Sequence, residues 1–72
     1  MITKKYLENM ILANNILIEL AEEKLKGIKE GTINFNGTHA ELMSLKNGNI
    51  LKIKKLRIEN SQAQRILERD FN

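Results

Sequence analysis

The run from Tyr6 to Ile28, YLENMILANNILIELAEEKLKGI, is the only segment long and apolar enough to build a core, and the rest of the chain has to be arranged around it. Its spacing predicts one amphipathic helix. With Leu7 at heptad position a, Leu7, Asn14, Ala21 and Ile28 share one line, Met10 and Leu17 take d, and Ile11, Ile18 and Leu25 take e. Leu12, Ile16 and Leu20 fall outside that stripe, so between Met10 and Leu20 only Asn14, Asn15 and Glu19 are polar. A helix this widely apolar needs partners on more than one side. The expected answer is a helical homo-oligomer, a dimer or higher, whose core is Leu7, Met10, Ile11, Asn14, Leu17, Ile18, Ala21 and Leu25. Asn14, at a core-facing position, reads as a register device that pairs with another polar group across a subunit seam. Asn14→Leu would then give a more heat-stable but less uniquely assembled protein.

Size supports the same expectation. A chain of 72 residues is a single domain, 1–72, and at that length only about 60% of the unfolded surface can be buried, so a device beyond the core is called for. With no Cys, disulfides and thiolate metal sites are excluded, and the lone His39 cannot hold a zinc ion unaided. Oligomerisation is the common device that is left. The N-terminal Lys4-Lys5 before an apolar run invites an export signal, but Glu8, Asn14, Asn15 and Glu19 interrupt it and no small-residue cleavage site follows. The segment is also too polar to span a membrane, and its polar face carries Glu8, Glu19, Glu22 and Glu23 where an interfacial helix would carry Lys and Arg. A cytoplasmic protein with no membrane partner and no cofactor is expected. The prevalence of Ile, Lys, Leu and Asn is what an AT-rich genome encodes and points to a bacterial, phage or mobile-element source.

Thr3 is the expected N-cap of the first helix and Gly31 its stop, with Gly27 fraying the last turn. Thr32-Ile33-Asn34-Phe35 alternates and precedes the turn pair Asn36-Gly37; Ile33 and Phe35 read as plugs of the core. Thr38 with Glu41 forms a capping box, which predicts a short helix from Thr38 to Lys46, ended by Asn47-Gly48. The segment Asn49 to Phe71 reads as a long C-terminal helix with Ile50, Ile53, Leu56, Ala63 and Leu67 on one face. A strand over 50–58 followed by a helix capped at Ser61 is the alternative. The favoured fold is thus all-α: a long N-terminal helix and a long C-terminal helix joined by a short capped one.

The net charge of +3 lies wholly in the second half. Lys46, Lys52, Lys54, Lys55 and Arg57, with no acid between them, make a basic segment that could meet an acidic partner or nucleic-acid phosphates. A helix, a turn at Asn47-Gly48-Asn49 and a basic helix have the outline of a helix-turn-helix. The second helix, however, begins Ile-Leu-Lys-Ile where base-reading side chains should stand, so no family is assigned. No Gly-rich phosphate loop, nucleophile elbow or paired-His motif is present. These features point to a non-enzymatic protein-interaction module of inhibitor or regulator type. The alternatives are a nucleic-acid-binding regulator using 46–57, and an oligomer that sequesters a small ligand between subunits.

Overall fold

The computed structural model describes residues 1–32 and 36–71 and consists of two long helices packed against each other. The first, α1, spans Lys4–Glu30 and the second, α2, spans His39–Asp70. Together they form a rod of 48 × 18 × 18 Å. The expected plugs Ile33 and Phe35 lie outside the described residues.

Both ends of α1 are stopped by the expected residues. Thr3 Oγ1 accepts the Tyr6 N–H at 3.1 Å, satisfying one of the donors that a helix start leaves free. At the other end Gly31 takes the left-handed conformation (φ 73°), the Gly31 N–H bonds the Ile28 carbonyl and the Thr32 N–H bonds the Gly27 carbonyl at 2.9 Å. That pair of bonds is a Schellman closure, so the helix continues through Gly27 and uses its carbonyl as the anchor. The start of α2 is the capping box: the Glu41 N–H donates to Thr38 Oγ1 at 3.1 Å and the Thr38 N–H to Glu41 Oε1 at 3.5 Å.

The sequence reading is corrected at Asn47-Gly48. No turn separates a short helix from a long one; α2 runs through the pair as one helix, and 50–58 is helical. Gly48 does not adopt the positive φ that a left-handed stop requires. Asn49 faces inward and its Nδ2 donates to the Leu45 carbonyl at 2.9 Å, so the side chain that could have capped a turn bonds its own helix instead. The physical reason is packing in phase. Leu42, Asn49, Ile53, Leu56, Asn60, Ala63 and Leu67 keep heptad spacing across the pair, and all are at least half-buried. A break at 47–49 would throw the residues on either side onto different faces. The helix-turn-helix outline disappears with that turn.

The matching stripe on α1 is Leu7, Ile11, Asn14, Ile18, Ala21, Leu25 and Ile28, in alternating steps of four and three. Asn14 bonds Asn60. In an antiparallel pair that contact sets the other layers: Leu7 falls opposite Leu67, Ile18 opposite Leu56 and Ala21 opposite Ile53. The two apolar clusters match these layers. One is Ile18, Ala21, Ile53 and Leu56 with Leu25 against it; the other is Leu7, Ala63 and Leu67 with Met10, Ile11, Ile66 and Phe71 against it. Ala63, only 1% exposed, lets the helices approach closely near the open end.

Two glycine substitutions test the continuous helix by opposite signs. Gly48 lies inside α2 and a Cβ there meets nothing within 4 Å, so Gly48→Ala is expected to stabilise by about 0.5–1 kcal/mol. For a domain of this size that raises the melting temperature by roughly 2–8 °C. Gly31→Ala is expected to lower stability by about 1 kcal/mol, because its left-handed backbone penalises a Cβ. A loss at both positions in thermal denaturation would put a turn at Gly48 after all.

Candidate interaction surfaces

Closing the hairpin sorts the side chains that the sequence singled out into three places: the seam, the outer face of α1 and the outer face of α2. Of the expected oligomer core, Leu7, Asn14, Ile18 and Ala21 are buried, and Met10, Ile11 and Leu25 are half-buried, all against α2 of the same chain. Leu17 stands apart, 39% exposed on the flank of α1.

Between the two apolar clusters lies a polar layer. Asn14 Nδ2 donates to Asn60 Oδ1 at 3.0 Å and to Glu59 Oε2 at 3.4 Å, and Asn60 Nδ2 donates to Asn15 Oδ1 at 2.9 Å. Among the described residues every buried side-chain nitrogen and oxygen has a hydrogen-bond partner. Asn14 therefore pairs as a register device would, but with the second helix of its own chain. Asn60 is legible by spacing, since it falls between Leu56 and Ala63 on the apolar face of the C-terminal helix, whereas Glu59 carries no such signal.

The outer face of α1 carries an apolar ridge, with Asn9 and Glu19 among the polar side chains around it. Leu12 is 62%, Ile16 59% and Leu20 51% exposed, one turn apart on a single ridge, with Ala13, Leu17 and Tyr6 beside it. At about 100° per residue, Lys5 and Glu23 fall on the same line as the ridge, one near each end, and Glu8 and Lys26 share one flank.

The outer face of α2 is basic with two apolar positions. Lys54, Lys55 and Arg65 share it with Leu51 and Ile58, all exposed, and the acids of α2, Glu41, Glu59, Glu68 and Asp70, fall outside it. The basic segment named from sequence does not converge as a unit, because a helix turns successive residues to different sides. Only Lys54 and Lys55 face outward; Lys46 and Lys52 sit on opposite flanks, and Arg57 lies toward α1, 3.7 Å from Glu22. Arg65, outside the run of basic residues, belongs to the surface: with Arg57, Ile58, Ser61 and Gln62 it lines a shallow groove. Helical spacing from Ile58 would have found it. Farther along, the Arg69 guanidinium holds the Asp70 carboxyl below its ordinary value, chiefly through their hydrogen bonds, and the Arg69 pKa is raised in return.

The largest groove described, about 790 Å³, is open and lies between the helices near the connection, lined by Leu25, Ile28, Leu42, Met43 and Ile50 among others. It carries Lys26, Lys29, Glu30 and Lys46 at its rim and no convergent set of catalytic groups. Among the described residues no group of three or more His, Cys, Asp or Glu is placed to hold a metal ion, and no helix is long and apolar enough to cross a membrane. Comparisons with protein-family models, curated proteins and solved structures found no match.

Proposed function

We propose that the protein is a non-enzymatic interaction module of inhibitor or regulator type, which works as a helical homo-oligomer and binds a protein partner through the outer face of α2. The observation that carries this reading is the composition of that face: Leu51 and Ile58, two helical turns apart and both well exposed, are set among Lys54, Lys55 and Arg65, with the nearest acids, Glu59 and Glu68, at its edges. Apolar residues spaced i, i+7 on a basic helix suit an amphipathic acidic segment, whose apolar side covers Leu51 and Ile58 while its carboxylates meet the cations. Phosphate alone would make no use of Leu51 and Ile58.

The second reading, nucleic acid on the same surface, rests on those three cations and predicts a different pattern. Tagged parent, Leu51→Ala/Ile58→Ala and Lys54→Ala/Lys55→Ala/Arg65→Ala proteins are used to capture partners from the source cell, with proteins and nucleic acids both identified. The expected result is a protein retained by the parent and lost with either variant. Nucleic acid retained by the apolar variant, lost with the basic one and released steeply by salt would replace this reading with the second. Capture indifferent to all five residues would reject both.

A further inference from the structure

We infer that Asn36 is a site of spontaneous covalent modification. Its side-chain amide is lost through a succinimide closed by the Gly37 backbone nitrogen, which leaves aspartate or isoaspartate between the two helices. The chain's other Asn-Gly pair, Asn47-Gly48, is protected by α2.

The same dipeptide occurs twice, and the fold puts the two copies in opposite settings. Asn36 and Gly37 stand outside both helices and are exposed. Asn47 and Gly48 lie well inside α2, which runs through them without a turn. Among the described residues Asn36 is the one asparagine outside a helix, since Asn9, Asn14 and Asn15 belong to α1 and Asn47, Asn49 and Asn60 to α2.

The reaction makes two demands on the backbone. The Gly37 nitrogen must give up its proton to a base and come within bonding reach of Asn36 Cγ, closing a five-membered ring. Gly has no Cβ to hinder that approach, and a residue outside a helix is not held at the helical ψ of about −42°. As the N–Cγ bond forms, the Cγ–Nδ2 bond breaks and the amide nitrogen takes a proton and leaves as ammonia. Water then adds to one of the two ring carbonyls and the ring C–N bond there breaks: opening at Cγ gives aspartate, opening at the backbone carbonyl gives isoaspartate. Only water is consumed. In α2 both demands fail. Helical ψ keeps the next nitrogen away from the side-chain carbonyl, and in an α-helix that N–H is already bonded to the carbonyl four residues back. Asn47 therefore reacts only when its stretch of α2 opens.

Each event at Asn36 turns a neutral amide into a carboxylate and lowers the net charge of +3 by one unit. Isoaspartate also adds a methylene to the backbone just before the Thr38 cap of α2.

Peptide mapping of the intact protein, aged for weeks at physiological temperature in mildly alkaline buffer, tests this. Trypsin separates the two pairs, into 30–46 and 47–52. Peptide 30–46 is expected to gain the mass difference between OH and NH₂ at Asn36 and to split chromatographically into aspartate and isoaspartate forms. Asn47 is expected to react at least about tenfold more slowly, because a protected group reacts only in proportion to local opening. In urea the two pairs are expected to react at comparable rates, and Gly37→Ala to slow the reaction at Asn36 in either solvent. An Asn36 that reacts in urea but not in the folded protein would overturn the inference, and so would a rate unchanged by Gly37→Ala, which would show that the Gly37 nitrogen is not the nucleophile. Equal rates at Asn36 and Asn47 in the folded protein would overturn the protection by α2.

Discussion

Leu56→Ala is expected to unfold a large part of the population at physiological temperature. Leu56 shares its cluster with Ile18, Ala21 and Ile53 in the middle of the rod, and no second layer stands behind it to collapse into the space. Truncating a buried Leu costs about 2–5 kcal/mol, whereas a single core at this size supplies only roughly 3–5 kcal/mol of net stability. The same substitution at Leu51, 65% exposed on the same helix, is expected to change stability by less than about 0.5 kcal/mol. Urea titration followed by circular dichroism at 222 nm reads both. Equal effects at 51 and 56 would mean that α2 presents a different face to α1.

The Asn14 and Asn60 pair gives the second large effect, and it depends on changing both residues. With Asn14→Leu alone, the half-buried Asn60 carbonyl loses its donor; with Asn60→Leu alone, the buried Asn14 amide loses its closer acceptor and keeps only Glu59 Oε2 at 3.4 Å. Each single change is expected to destabilise by about 1–2 kcal/mol, since an unsatisfied buried polar group costs that much. Asn14→Leu/Asn60→Leu joins the two apolar clusters into one and is expected to be at least as stable as the parent, a coupling of at least about 2 kcal/mol in the double-mutant cycle. The sequence pattern alone anticipates a gain from Asn14→Leu. The structure moves that gain to the double variant, because Asn60 is held in the same seam. Loss of the layer is also expected to broaden amide spectra, since slipped registers are no longer penalised. Additive single effects would mean that the two amides do not pair.

The N-terminal helix, its caps and the capping box of α2 were legible in the sequence because each rests on a local rule: Thr3 and Thr38 accept from backbone within three residues, and Gly31 alone tolerates the left-handed stop. The single α2 was not, because Asn47-Gly48 is a turn signal on any local reading. What overrides it is non-local, the phase of Leu42 and Asn49 with Ile53 and Leu56 against α1. The seam residues were legible as apolar and periodic, but periodicity does not say whether the facing helix belongs to the same chain. Two matching stripes of seven positions each, joined by a short connection, favour closure within one chain, since that contact needs no second molecule to be brought in. What remains outward is the part of the pattern that never fitted one stripe, Leu12, Ile16 and Leu20. On α2 the basic run was visible as composition, yet its division among the outer face, the flanks and Glu22 requires the helix that carries it.

The central claim is that the heptad faces of α1 and α2 close on each other within one chain, with Asn14 level with Asn60, leaving the outer face of α1 open. Methyl nuclear Overhauser contacts in an equimolar mixture of isotope-labelled and unlabelled protein, filtered to separate intrachain from interchain pairs, test it most directly. Contacts of Leu7 with Leu67 and of Ile18 with Leu56 are expected only in the intrachain spectrum. The same contacts in the interchain spectrum, or contacts displaced by a heptad in either, would contradict the hairpin.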